Sequence, residues 1–121
     1  MKALIILAHG SRRKQSNEEI EELTIQIKAL VKKNFDIVDH AFLEVASPSL
    51  TNAIENLISS NASEINIFPY FLNSGVHIKD DIPNIIKKAG KKYPDCKFKL
   101  SSHIGAYKKM PEIILKQLNS E

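Results

Sequence analysis

A single cysteine, Cys96, leaves no internal disulfide and no CxxC metal motif to consider. That usage fits a reduced thiol in a cytoplasmic protein. Tryptophan is absent, so the stacking platforms that hold single-stranded nucleic acid are scarce. No apolar run reaches the about 18 residues needed to cross a membrane. The start, "MKALIILAHG", has one lysine and passes straight into charged sequence. It reads as a first strand rather than a secretory leader. Excess charge is small as well. A formal net charge of +3 does not by itself indicate nucleic acid and suits an anionic small molecule equally well. No internal repeat, low-complexity tract or linker stands out. The expectation is a cytoplasmic protein with no nucleic-acid and no membrane partner.

What is present is an ordinary globular balance, 43% hydrophobic and 26% charged. Its 121 residues suit one domain, 1–121, with one core. Strand-like and helix-like segments alternate. Lys2–Ala8 is almost wholly apolar, as in a strand covered on both faces. Residues 17–33 read as a helix, with Ser16 and Glu19 as a capping box and Ile20, Leu23, Ile27, Leu30 and Val31 on one face. Residues 37–45 form a second strand. "SPS" opens a second helix, with Ser47 as cap and Pro48 in its first position. "EINIFPYFL" is a third strand that Pro69 weakens. Residues 83–92 form a third helix, with Asp80 or Asp81 to cap it. "KFKLS" is a half-exposed edge strand, and residues 110–118 a last helix. The order predicts an α/β fold: a single three-layer domain with a four-stranded, mainly parallel open sheet flanked by helices.

In such sheets ligands bind beyond the carboxyl ends of the strands. The unusual side chains fall there. After the first strand come His9, Gly10, Ser11, Arg12 and Arg13; Glu44 ends the second; His77, Lys79, Asp80 and Asp81 follow the third; His103, Lys108 and Lys109 follow the fourth. Three of the four histidines thus share one rim, while His40 sits inside the second strand in a structural or surface position. Paired guanidiniums beside an imidazole imply an anionic partner. His77 lies in a loop longer than the usual strand-to-helix connection, and such loops are often functional. Two neutral imidazoles near one carboxylate suit a borderline divalent ion such as Co²⁺, Ni²⁺, Fe²⁺ or Zn²⁺. Glu44, at the end of an apolar run, reads either as a carboxylate before a helix cap or as a proton acceptor or metal-side carboxylate.

Three stretches in order, "HGSR" at 9–12, "FLEVASPSL" at 42–50 and "FPYFLNSGVHIKDDIP" at 68–83, resemble the small sirohydrochlorin chelatases of the CbiX type, and the resemblance covers nearly the whole chain. His103 is not part of the family pattern. The resemblance implies a chelatase-like fold equal to half of a two-domain chelatase. It implies a homodimer whose two copies build one cleft. It implies insertion of Co²⁺, or Ni²⁺ or Fe²⁺, into sirohydrochlorin during cobalamin or related tetrapyrrole biosynthesis. The metal is substrate, and no organic cofactor is needed. The family's metal-handling histidines correspond to His9 and His77, and its acidic motif to Glu44.

Metal insertion requires an ion held loosely, two pyrrole protons removed and a flat polycarboxylate macrocycle held in place. His9 and His77 suit the first two tasks, with Glu44 orienting them or relaying protons. Ser11, Arg12, Arg13 and Lys79 are the candidates for the substrate's carboxylates. Phe71, Leu72 and Val76 offer apolar contact to the ring, with core packing as their main role. One competing reading is a non-catalytic protein that binds and delivers a divalent metal. Another is a phosphate-handling domain, but the chain has no arginine immediately before His9, no P-loop and no GxGxxG.

Overall fold

The computed structural model describes every residue except Lys32, Val76 and Glu121, and describes His77 and Ile78 by their backbone alone. Among the described residues, four strands alternate with four α-helices. The strands are β1 (Lys2–Ala8), β2 (Ile37–Phe42), β3 (Glu64–Pro69) and β4 (Lys97–Leu100). The helices are α1 (Lys14–Leu30), α2 (Leu50–Ser59), α3 (Ile82–Lys92) and α4 (Met110–Asn119). The strand order is β2-β1-β3-β4, and every pairing is parallel.

The apolar run of β1 is explained by its place between two neighbours. Ala3, Ile5 and Leu7 are fully buried on one face, where Ile65 and Ile67 of β3 continue the layer. Leu50, Ala53, Ile54 and Leu57 of α2 and Ile82 of α3 close over them. Each large aliphatic buried there contributes about 1.5–3 kcal/mol. On the other face α1 covers β1 and β2. The amino end of the sheet is tied by ions: Glu64 pairs with Lys2 and Lys99, each at 3.5 Å. Its carboxyl is held below the usual carboxylate range, first by the amide of Asn66 at 2.9 Å, then by the two lysines.

The predicted α/β architecture is the one found, with five departures. α1 begins at Lys14, so Ser16 and Glu19 lie inside it and form no capping box; its N-cap position, Arg13, makes no side-chain cap bond. The cause is a clasp in the preceding loop. Asn17 accepts from the Ser11 N–H at 3.0 Å and donates to the Ser11 carbonyl at 2.7 Å, which folds the chain into the helix early. Leu30, expected on the buried stripe, is 76% exposed. β2 stops at Phe42, because a tight turn follows in which the Ala46 N–H donates to the Glu44 carbonyl at 2.8 Å. Ser49, not Ser47, caps α2, accepting from the Asn52 N–H at 3.1 Å, and the Ser47–Pro48 peptide is cis. The loop before α3 is partly wound, since residues His77–Asp81 form a π-helical turn leading into it.

Candidate functional site at the carboxyl ends of the strands

In the order β2-β1-β3-β4 the chain leaves β1 towards one side and β3 towards the other. The crevice beyond their carboxyl ends is the switch point where open α/β sheets take ligands. His9 follows β1 directly there. β2 lies beside β1 in parallel, and the pairing continues beyond the regular strands. The Leu43 N–H donates to the Ala8 carbonyl at 3.0 Å, and the Glu44 N–H to the His9 carbonyl at 3.1 Å. This continuation sets Glu44 against His9.

Gly10 permits the approach. Its φ is +97°, and a Cβ built on it would lie 1.9 Å from the Glu44 carbonyl oxygen. No side chain fits between the two loops. Val45, next to Glu44, has φ 53° and is 59% exposed. A β-branched residue there is a genuine backbone outlier. Strain of this kind clusters at ligand sites.

The result is an imidazole–carboxylate pair on an open rim. His9 Nε2 lies 3.2 Å from Glu44 Oε1, with about half of each side chain exposed. His9 Nδ1 lies 3.2 Å from the Gly10 carbonyl oxygen. Phe71, just after β3, meets the imidazole edge-on at 6.4 Å between centroids. With Nδ1 donating to that carbonyl, Nε2 meets the carboxylate either as an imidazolium N–H that donates to Glu44 or as a lone pair, in which case a shared cation or proton must lie between the two acceptors. Such a nitrogen binds a borderline metal ion or takes up a proton, which Glu44 then stabilises.

The other residues singled out in the sequence are placed as follows. Arg12 and Arg13 are exposed in the same loop. Ser11 is half-buried, and its hydroxyl accepts from the Arg13 N–H at 3.0 Å, shaping the loop. Lys79 is exposed on the π-helical turn, its N–H donating to the Gly75 carbonyl at 3.0 Å. His77 begins that turn; its side chain, and Val76, lie outside the described residues. His103 is half-buried before a 3₁₀ turn, Ile104–Ala106. His40 packs on Phe42 in β2, 4.0 Å from Glu21. Leu72 is 69% exposed. The sequence analysis put Asp81 on the rim without giving it a site role and did not single out Asn84. Together with Leu43, Glu44 and Ile85 they line a hollow of about 370 Å³. Only the packing of α3 beside the turn after β2 brings them there, and no local motif signals that.

A family model described as CbiX matches residues 3–121. The chloroplastic sirohydrochlorin ferrochelatase of Arabidopsis thaliana is 30% identical over 111 residues, covering 92% of this chain and 48% of that protein. The sirohydrochlorin cobaltochelatase of Sulfolobus acidocaldarius is 30% identical over 114 residues, covering 94% of this chain and 87% of that protein. The crystal structure of the sirohydrochlorin chelatase SirB from Bacillus subtilis subspecies spizizenii, in complex with cobalt, superposes with a TM-score of 0.84 at 25% identity, covering 98% of this chain and 50% of that one. The chain therefore spans about half the length of the plant and Bacillus proteins and most of the archaeal one.

Proposed function

The chain belongs to the CbiX family, and on that premise we propose that it inserts a divalent metal ion into sirohydrochlorin, Co²⁺ foremost and Ni²⁺ or Fe²⁺ as alternatives. One observation carries the proposal: an imidazole nitrogen 3.2 Å from a carboxylate oxygen on the open switch-point rim. The relatives named for this chemistry act on iron and on cobalt, so the metal class is a first-row divalent ion.

In the reaction the ion enters the macrocycle and two pyrrole protons leave. His9 and His77 hold the ion as neutral imidazoles, which bind such metals but yield them to a better chelate. As the ion passes to the macrocycle, the freed imidazoles of His9 and His77 take up the two pyrrole protons, and Glu44 stabilises or relays them. Arg12, Arg13, Lys79 and the Ser11 hydroxyl hold the substrate's carboxylates. No organic cofactor takes part. The protein works in the cytoplasm as a homodimer, two copies lining one cleft, as the family resemblance implies.

The test is optical. Sirohydrochlorin is incubated with Co²⁺, Ni²⁺ or Fe²⁺, and loss of the metal-free spectrum is timed with and without protein. Acceleration is expected, and His9→Ala or Glu44→Gln is expected to slow it by about 100-fold, the lower range for a positioned acid–base group. No acceleration with any of the three metals overturns the proposal. Metal binding without turnover assigns the chain to delivery instead.

A further inference from the structure

Two aliphatic side chains stand exposed where the strands end. Val45 is 59% exposed in the loop after β2, and Leu72 is 69% exposed in the loop after β3. The other exposed aliphatic side chains among the described residues belong to α1, α4 or β4. β1 runs between β2 and β3, so these two loops leave the sheet on either side of His9. Each of the two residues also directly follows a neighbour of the imidazole. Glu44 meets His9 at 3.2 Å, and Phe71 meets it edge-on.

Both backbones are pinned. The Ala46 N–H donates to the Glu44 carbonyl at 2.8 Å, across Val45 with its φ of 53°. A bond from residue i+2 to residue i around a positive φ is the rare, strained form of γ-turn. The same Glu44 carbonyl lies against Gly10, where no Cβ fits. Glycine or asparagine would hold this turn with less strain, and neither would leave methyl groups in water. Leu72 is held in a similar way. The Phe71 carbonyl accepts from the Gly105 N–H at 3.0 Å, and a Cβ on Gly105 would overlap the Leu72 carbonyl oxygen. Leu72 does not take the core position that the sequence led us to expect.

We propose that Val45 and Leu72 are two fixed aliphatic pads that receive the apolar face of the flat macrocycle on either side of His9. The inference rests on the tetrapyrrole reading above and adds to it what holds the ring, as distinct from its carboxylates. Charge is complementary to that guest: Arg12, Arg13 and Lys79 are exposed on the adjoining loops. They draw the carboxylates of the periphery while the ring carbons lie on the pads. Covering the methyl groups removes apolar surface from water. Since the pads are held in place before the ring arrives, little ordering is lost on binding.

Metal-free sirohydrochlorin, titrated into the full chain without any metal ion and followed by fluorescence over a salt series, tests the pads. Val45→Asn keeps a residue that tolerates the left-handed turn and removes the methyl groups; Leu72→Asn removes the other pad. Each is expected to weaken binding about tenfold, as for partial burial of one aliphatic side chain. The dependence on salt is expected to stay that of wild type, because no charged contact is lost. Arg12→Ala is expected to flatten that dependence, and Val45→Ile to bind like wild type. Val45→Gly relieves the turn, so its expected loss of affinity is not the result of a weakened fold. Wild-type affinity in either asparagine variant, an altered salt dependence in them, or an isoleucine variant as weak as the asparagine one overturns the pads and leaves the chelatase reading standing. A wild-type chain that binds no sirohydrochlorin overturns both.

Discussion

Gly10→Ala isolates the geometry that joins His9 to Glu44. The added methyl would lie 1.9 Å from the Glu44 carbonyl oxygen, and the backbone there has φ +97°. Forcing alanine into a left-handed region costs about 1–2 kcal/mol. Moving residue 44 aside also breaks the hydrogen bond from its N–H to the His9 carbonyl, worth about 1 kcal/mol. The expected loss is therefore about 2–3 kcal/mol, or roughly 10 °C in melting temperature for a domain of this size. Urea unfolding reads it as a lower midpoint at unchanged slope. The effect on the proposed metal insertion is of similar size, because displacing a catalytic group by about 1 Å can cost about 100-fold. Gly90→Ala is the control. It lies within α3 with nothing near its missing Cβ, so it is expected to stabilise by about 0.5–1 kcal/mol. If Gly10→Ala keeps wild-type stability and rate, the two loops do not need their close approach and the reasoning fails.

Two further predictions concern strain and charge. Val45→Gly is expected to stabilise the protein by about 1 kcal/mol, because glycine relieves a left-handed conformation that costs a β-branched residue about 1–3 kcal/mol; a lowered urea midpoint refutes this. Glu64 titrates below the ordinary carboxylate range when folded and within that range when unfolded. Its contribution is therefore complete above the ordinary range and disappears as pH falls through the folded value. Thermal melts from pH 6 downward are expected to show a shallower acid decline for Glu64→Gln than for wild type, and parallel declines refute the assignment.

Much of the fold was legible because strand-like and helix-like segments alternate and because β1 carries the unbroken apolar run that cover on both faces demands. Ala3, Ile5, Ile6, Leu7 and Ala8 of that run are buried. Boundaries failed where two local signals competed. Ser16 and Glu19 have capping-box spacing, but the Asn17–Ser11 clasp starts the helix upstream of them. Ser47 and Ser49 flank the same proline, and only Ser49 reaches an N–H of the first turn. At the site, His9 and Glu44 were visible as misplaced polar groups at the ends of apolar runs. Their contact depends on parallel pairing of β1 with β2, which topology supplies. Asp81 fell on the same rim but read as an ordinary helix-start residue, and Asn84 gave no sign.

The hydrogen bonds from residues 43 and 44 to Ala8 and His9 have a consequence for variation. They anchor the connection up to Glu44, and the Phe42 N–H to Pro48 carbonyl bond at 2.8 Å anchors its far end. Only the three positions between these anchors are left to lengthen or exchange. A library confined to residues 45–47 would thus remodel the mouth of the crevice, and with it the guest admitted, while base and acid keep their registry.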